Sequence, residues 1–264
     1  MSAQKSTGLM RRREIIIGLA AGSMTAFLPG CAENAALGRS QLILVSDGQL
    51  MQLSSQAWQD SLGRERVLRD PAYTRRLDRV GRRIVAASGQ TQLNWEFVVF
   101  DSDTVNAFVL PNGKVGFYRG ILDLMESDDH IATVMGHEIG HIAGRHSNER
   151  ASQQMAAQVG MSLVGQALNS NGSVAYSDEI GAALGMGVSL GIILPYSRQH
   201  EFEADRLGVD YMVAAGYDPL QAIDFWMAMS LSHGAGPAEF MSTHPSDEHR
   251  IAAMRAHMTE RGYI

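Results

Sequence analysis

The chain has 264 residues, of which 45% are hydrophobic and 19% charged, enough to bury one good core and to fold as one domain. Its formal net charge of −6, with no basic stripe, argues against nucleic acid as a partner. The sole cysteine, Cys31, excludes an intramolecular disulfide framework.

At the N-terminus, Arg11, Arg12 and Arg13 precede an apolar run broken by Gly18 and Gly22, which ends in Leu28-Pro29-Gly30-Cys31. Basic, apolar, small residue, cysteine is the order of a bacterial lipoprotein signal peptide. Residues 1–30 are therefore expected to be removed, with Cys31 lipidated and residues 31–48 forming a lipid-anchored linker. Proline in the cleavage box departs from the commonest pattern. Ala32 after the cysteine points to the outer membrane by the usual sorting rule, and Arg12-Arg13-Glu14-Ile15-Ile16 resembles a twin-arginine export signal. A transmembrane anchor is the second reading, but about 14 apolar residues fall short of the ~20 needed to span a bilayer. Removing residues 1–30 takes away four basic residues and one acid, leaving 18 basic against 27 acidic and a net charge of −9.

Residues 49–264 are expected to form one mostly helical domain. Tyr73, Leu77, Val80 and Ile84 recur at helical spacing from Pro71 to Ser88, with arginines on the opposite face, solvated or turned to anionic lipid. Residues 93–101 and 104–110 are rich in β-branched and aromatic side chains and read as strands. Asn112-Gly113 is a two-residue hairpin signal before a further strand at 114–119.

Ser127 is a candidate N-cap, followed by Asp128 and Asp129 in the first turn. Ile131, Val134, Met135, Ile139 and Ile142 then mark a buried helical stripe. On that helix stands His137-Glu138-Ile139-Gly140-His141, with two imidazoles one turn apart on one face, able to reach one metal ion. Glu138 is placed beside a metal-bound water rather than on the metal, as in zinc hydrolases.

A catalytic zinc usually takes a third protein ligand. The metzincin extension fails, because Gly144 is in place but its last position is Ser147; His146 comes one residue early and, on a continuing helix, would point away from His141. The alternative lies on a second helix. Glu201 and Asp205 stand four apart and face the same way, which suits a ligand and a carboxylate that holds a ligand histidine's other nitrogen. Between the two motifs, residues 151–170 read as a helix ending at the turn of Asn169 to Gly172. Residues 180–194 read as a buried helix or a mobile lid, too short for a membrane hairpin. Asp218-Pro219 opens a helix bearing Phe225 and Trp226, and residues 246–257 form a last helix. His244 before Pro245 reads, taken alone, as a loop residue. There is no internal repeat and no tetratricopeptide array.

Three motifs in this order carry a resemblance: the zinc motif, Ser197 to Asp205 as Ser-Arg-x-x-Glu-x-Glu-Ala-Asp, and His244-Pro245 with Arg250. Together they resemble peptidase family M48, over roughly residues 45–260. The resemblance implies an α+β, mostly helical gluzincin-type zincin with a small sheet whose edge strand lines the active-site cleft. It implies one zinc ion per chain held by His137, His141 and Glu201, with Glu138 as general base. Asn106-Ala107-Phe108 would pair with an extended peptide, although a plain structural hairpin would use the same residues. His244 or Arg250 would stabilise the oxyanion, or His244 would bind zinc as a fourth ligand in a latent, closed state. The implied function is a zinc endopeptidase of the bacterial cell envelope, acting on misfolded or stalled envelope and outer-membrane polypeptides beside the outer-membrane assembly machinery. The alternative is a latent protease serving as chaperone or assembly adaptor.

Overall fold

Helices surround a three-stranded sheet in the computed structural model, which describes residues 30–168, 196–231, 239–244 and 248–264. The expected signal peptide and the apolar segment at 180–194 lie outside the described residues.

The first elements are strands β1 (Cys31–Asn34) and β2 (Arg39–Leu42), an antiparallel hairpin, followed by helix α1 (Asp47–Arg64). The stretch expected as a linker is thus folded over residues 31–42. Its polar side chains carry it against the helices: Asn34 Nδ2 donates to the carbonyl of Ala143 at 3.1 Å, and Gln41 Nε2 to that of Gly144 at 2.7 Å. Helix α1 opens on a capping box in which Ser46 and Gln49 bond reciprocally.

Helix α2 (Pro71–Ser88) spans the expected residues, from the Asp70 cap to Gly89 at φ 70°. Its apolar stripe of Leu77, Val80 and Ile84 is fully buried, while Arg76 and Arg79 on the other face pair with Asp128. Strands β3 (Glu96–Phe100), β4 (Ala107–Leu110) and β5 (Lys114–Tyr118) follow in the expected order. Gly113, at φ 81°, turns β4 into antiparallel β5, and β3 pairs parallel on the other side of β5. The sheet order is therefore β3-β5-β4, which leaves β4 at an edge. Period-two alternation sorts its side chains: Ala107 and Val109 enter the main core, whereas Phe108 and Leu110 pack with Trp58 of α1 on the other face.

After the short helix α3 (Arg119–Asp123) comes the zinc-motif helix α4 (Asp128–Ala143), capped by Ser127 as expected. It does not continue. Gly144 caps it, Arg145 takes a left-handed φ of 51°, and α5 (His146–Leu168) starts anew. The expected helix at 151–170 thus begins five residues early, and a break separates His146 from the turn that carries His141. Helix α6 (Arg198–Ala214) bears the second motif and packs on α4 at backbone contact. A Cβ on Gly140 would stand 2.6 Å from the carbonyl oxygen of Ala204, and one on Gly136 2.9 Å from that of Gly208. Only small residues permit this approach, and it sets Glu201 opposite the two histidines. Helices α7 (Leu220–Leu231), α8 (Glu239–Thr243) and α9 (Glu248–Glu260) close the other side of the core with Phe225, Trp226, Phe240 and Met254.

Candidate active site

Four side chains from three parts of the chain converge. His137 and His141 of α4, Glu201 of α6 and His244 after α8 place one ligand atom each within 4.8 Å of one another, and all four residues are buried. Nε2 of His137 lies 3.1 Å from Nε2 of His141 and 3.1 Å from Nδ1 of His244. The Glu201 carboxylate is 3.4 Å from each motif imidazole and 3.2 Å from Nδ1 of His244.

The outward-facing nitrogens are already occupied. Nδ1 of His137 meets Oδ1 of Asp205 at 2.8 Å, and Nδ1 of His141 meets Nδ1 of His146 at 2.9 Å. A carboxylate only accepts, so Asp205 fixes a proton on Nδ1 of His137 and leaves Nε2 as the nitrogen that faces the cluster. Burial opposes charge on His137, yet Glu201 and Asp205 prevail and push its pKa up to about 9. Burial drives His141 well below the ordinary histidine range, which keeps it neutral. Converging imidazole nitrogens beside a carboxylate, in a field that draws positive charge, are a place where a cation can replace the protons. Two imidazoles and a carboxylate are a zinc donor set, so the residues fit zinc held by His137, His141 and Glu201.

Glu138 is buried at the mouth of the cluster. Its Oε1 lies 3.4 Å from Nε2 of His244, and burial raises its carboxyl above the ordinary range. A carboxylate so placed is suited to take and return a proton.

Asp205 occupies the expected supporting place. Burial disfavours its charge, but the guanidinium of Arg250 outweighs that and holds its pKa low. Arg250 stands with Asp205. It is buried behind the ligands, 2.8 Å from Oε2 of Glu201 and 2.7 Å from Asp205, with its guanidinium carbon 4.9 Å from the centre of the Trp226 ring. From helix α9 it pairs with these two carboxylates and is not among the residues that line the cleft between β4 and α1. Of the two oxyanion candidates only His244 lines the cleft, and its ring stacks on Phe240 at 4.5 Å.

The cleft runs between β4 and α1. Asn106, Ala107 and Phe108 line it together with Leu50 and Leu53 of α1, Ser147 and Ala151 of α5, and Glu138 and His244. Asn106 is buried, and its Oδ1 accepts from the Ala107 amide at 2.8 Å.

Two contributors escaped the sequence. Tyr196 stacks on His141, with ring centres 3.9 Å apart, and its hydroxyl meets Ser147 Oγ at 3.2 Å. Its place just before the Ser197 cap was the available signal. His146 was expected to point away; the break at Gly144-Arg145 turns it back onto His141 instead.

The model of Peptidase family M48 matches residues 71–258. The chain is 36% identical over 195 residues to the mitochondrial metalloendopeptidase OMA1 of Schizosaccharomyces pombe, covering 72% of this chain and 55% of that protein. It is 28% identical over 225 residues to the beta-barrel assembly-enhancing protease of Escherichia coli, covering 83% and 46%. To the metalloendopeptidase OMA1 of Bos taurus it is 29% identical over 230 residues, covering 81% and 43%. The chain spans about half the length of these curated relatives.

Proposed function

Because the chain belongs to peptidase family M48, we propose that it is a zinc-dependent endopeptidase of the bacterial cell envelope, cleaving misfolded or stalled envelope and outer-membrane proteins. The observation that carries the enzymatic reading is the placement of Glu138 beside the cluster of His137, His141, Glu201 and His244, in the lining of a cleft that also borders an edge strand.

Zinc held by His137, His141 and Glu201 would supply a more acidic water and a Lewis acid for the scissile carbonyl. Glu138 accepts the water's proton as it attacks and delivers a proton to the leaving amine. The nucleophile is water, so no acyl-enzyme forms. Asp205, held by Arg250, orients His137, and the guanidinium of Arg250 offsets the buried charge of Glu201. The edge of β4 at Asn106, Ala107 and Phe108 aligns an extended peptide by strand addition.

The envelope placement rests on the basic, apolar, cysteine order of the N-terminus and on the name of the Escherichia coli relative. The mitochondrial names of other relatives leave the compartment to that N-terminal segment. Lipidation at Cys31, exposed at the start of β1, would anchor the hairpin at the outer membrane. Among the described residues no helix is long and apolar enough to cross a membrane.

A second reading is favoured by His244, whose Nδ1 joins the ligand cluster. As a fourth zinc ligand it would take the water's position and hold the peptidase latent, with the protein acting as a chaperone or adaptor for outer-membrane assembly. Unfolded casein separates the two. The enzyme reading expects cleavage by the zinc-loaded wild type and none by Glu138→Gln with zinc retained. Equal behaviour of the two proteins would remove it.

A further inference from the structure

Beside the zinc-facing cluster lies a second, partly buried polar group that hydrolysis leaves without a role. It joins β2, α5 and α6 through Arg39, His146, Glu149 and Glu203. Arg39 sits between the two carboxylates. Its Nε and Nη2 donate to Glu203 at 2.6 and 2.8 Å, and its Nη1 and Nη2 to Glu149 at 2.9 and 2.8 Å. Oε2 of Glu203 is in turn 3.0 Å from Nε2 of His146, whose Nδ1 is 2.9 Å from Nδ1 of His141.

The proton order along this row follows from what each atom can do. A carboxylate only accepts, so Nε2 of neutral His146 carries its proton toward Glu203 and Nδ1 remains an acceptor. The contact with His141 then requires the proton on Nδ1 of His141, which leaves its Nε2 free to bind metal. The other motif imidazole has a matching arm, in which Arg250 holds Asp205 and Asp205 holds His137.

We propose that Arg39 is a positioning residue for the zinc ligand His141, acting through Glu203 and His146, so that the N-terminal hairpin sets the zinc affinity of the site. The inference rests on the reading of His141 as a ligand. The same hairpin caps the helix that bears it, since Asn34 and Gln41 satisfy the terminal carbonyls of Ala143 and Gly144. Without Arg39 the cation between the two carboxylates is lost; Glu149 keeps Gln41 and His200, whereas Glu203, with Gln199 at its other oxygen, is free to turn from Glu149 and release His146. Both hairpin strands lie outside the region matched by the family model.

The test is zinc affinity of the purified full chain, measured by competition with a chelator. Arg39→Gln is expected to weaken zinc binding by roughly tenfold or more, the usual effect of losing a ligand's supporting partner. Arg66→Gln, which removes an exposed arginine paired with Asp101, should leave it unchanged. His146→Phe keeps a ring stacked against His200 and removes the nitrogen that His141 needs. It should weaken binding as Arg39→Gln does, and the double variant should bind zinc no more weakly than His146→Phe alone, because the two act in series. Arg39→Lys, with the charge kept and the two-sided grip lost, should fall between wild type and Arg39→Gln, and serves if the latter does not fold. Unchanged affinity in Arg39→Gln, or losses that add in the double variant, would overturn the inference. A wild type that binds no zinc would overturn the ligand assignment and this inference with it.

Discussion

Arg250 grips Asp205 at two points, with Nε 2.7 Å from Oδ2 and Nη2 2.7 Å from Oδ1, both residues being buried. Asp205 passes that constraint to His137 at 2.8 Å. Removing one member of such a pair leaves an uncompensated buried charge, which typically costs about 3–5 kcal/mol. Arg250→Leu is therefore expected to lower unfolding stability by that order, read by urea denaturation, and to weaken zinc binding roughly 10- to 100-fold. Arg250→Lys should recover only part, because an ammonium cannot match the two-point geometry.

Backbone contact between α4 and α6 brings Glu201 to the histidines, and Gly140 is its tightest point. Gly140→Val would force the helices apart at the carbonyl of Ala204. Overpacking of this kind costs about 1–3 kcal/mol, and separation of Glu201 from the histidines should reduce zinc affinity. Thermal unfolding with and without zinc checks this: zinc should stabilise the variant less than the wild type.

Asp128 lies at the start of α4, with Arg76 and Arg79 at 2.8 and 2.7 Å. Burial opposes its charge, but the two arginines prevail and hold its pKa below the ordinary value. A carboxylate lowered on folding stabilises above its unfolded pKa, and that stabilisation is lost as pH falls through the folded one. Asp128→Asn should cost about 0.5–1 kcal/mol at pH 7, after discounting for solvent screening. The difference from wild type should shrink below about pH 4, read by denaturation across pH.

His244 reaches the zinc-facing cluster through Nδ1 and Glu138 through Nε2. The latch reading expects His244→Ala to raise turnover of an unfolded substrate severalfold with zinc retained. Lost turnover with zinc retained would assign His244 to the oxyanion instead.

The central chemistry was legible in the sequence because it is local. Helical spacing alone puts His137 and His141 on one face, and likewise Glu201 with Asp205. Residues Pro71 to Ser88 and the Asn112-Gly113 turn were equally plain, since caps and turns are written in neighbouring residues. Arg39 could not be found in this way. Its partners stand 110 and 164 positions away, and nothing in residues 31–48 announces a hairpin that docks on the zinc helix. His146 was misplaced because a helix was extended through Gly144 and Arg145, where the backbone in fact turns. The motif left the oxyanion to His244 or Arg250; the pairing of Arg250 with Glu201 and Asp205 was not legible, because it depends on how α9 packs against α6.

The measurement that bears most directly on the whole account is peptide cleavage as zinc is titrated into the metal-free chain. Activity on an unfolded polypeptide should rise with zinc and saturate at one ion per chain, while Glu138→Gln takes up the same zinc and stays inactive. Cleavage that survives complete zinc removal would contradict the account. So would zinc saturation that leaves both the wild type and His244→Ala without activity.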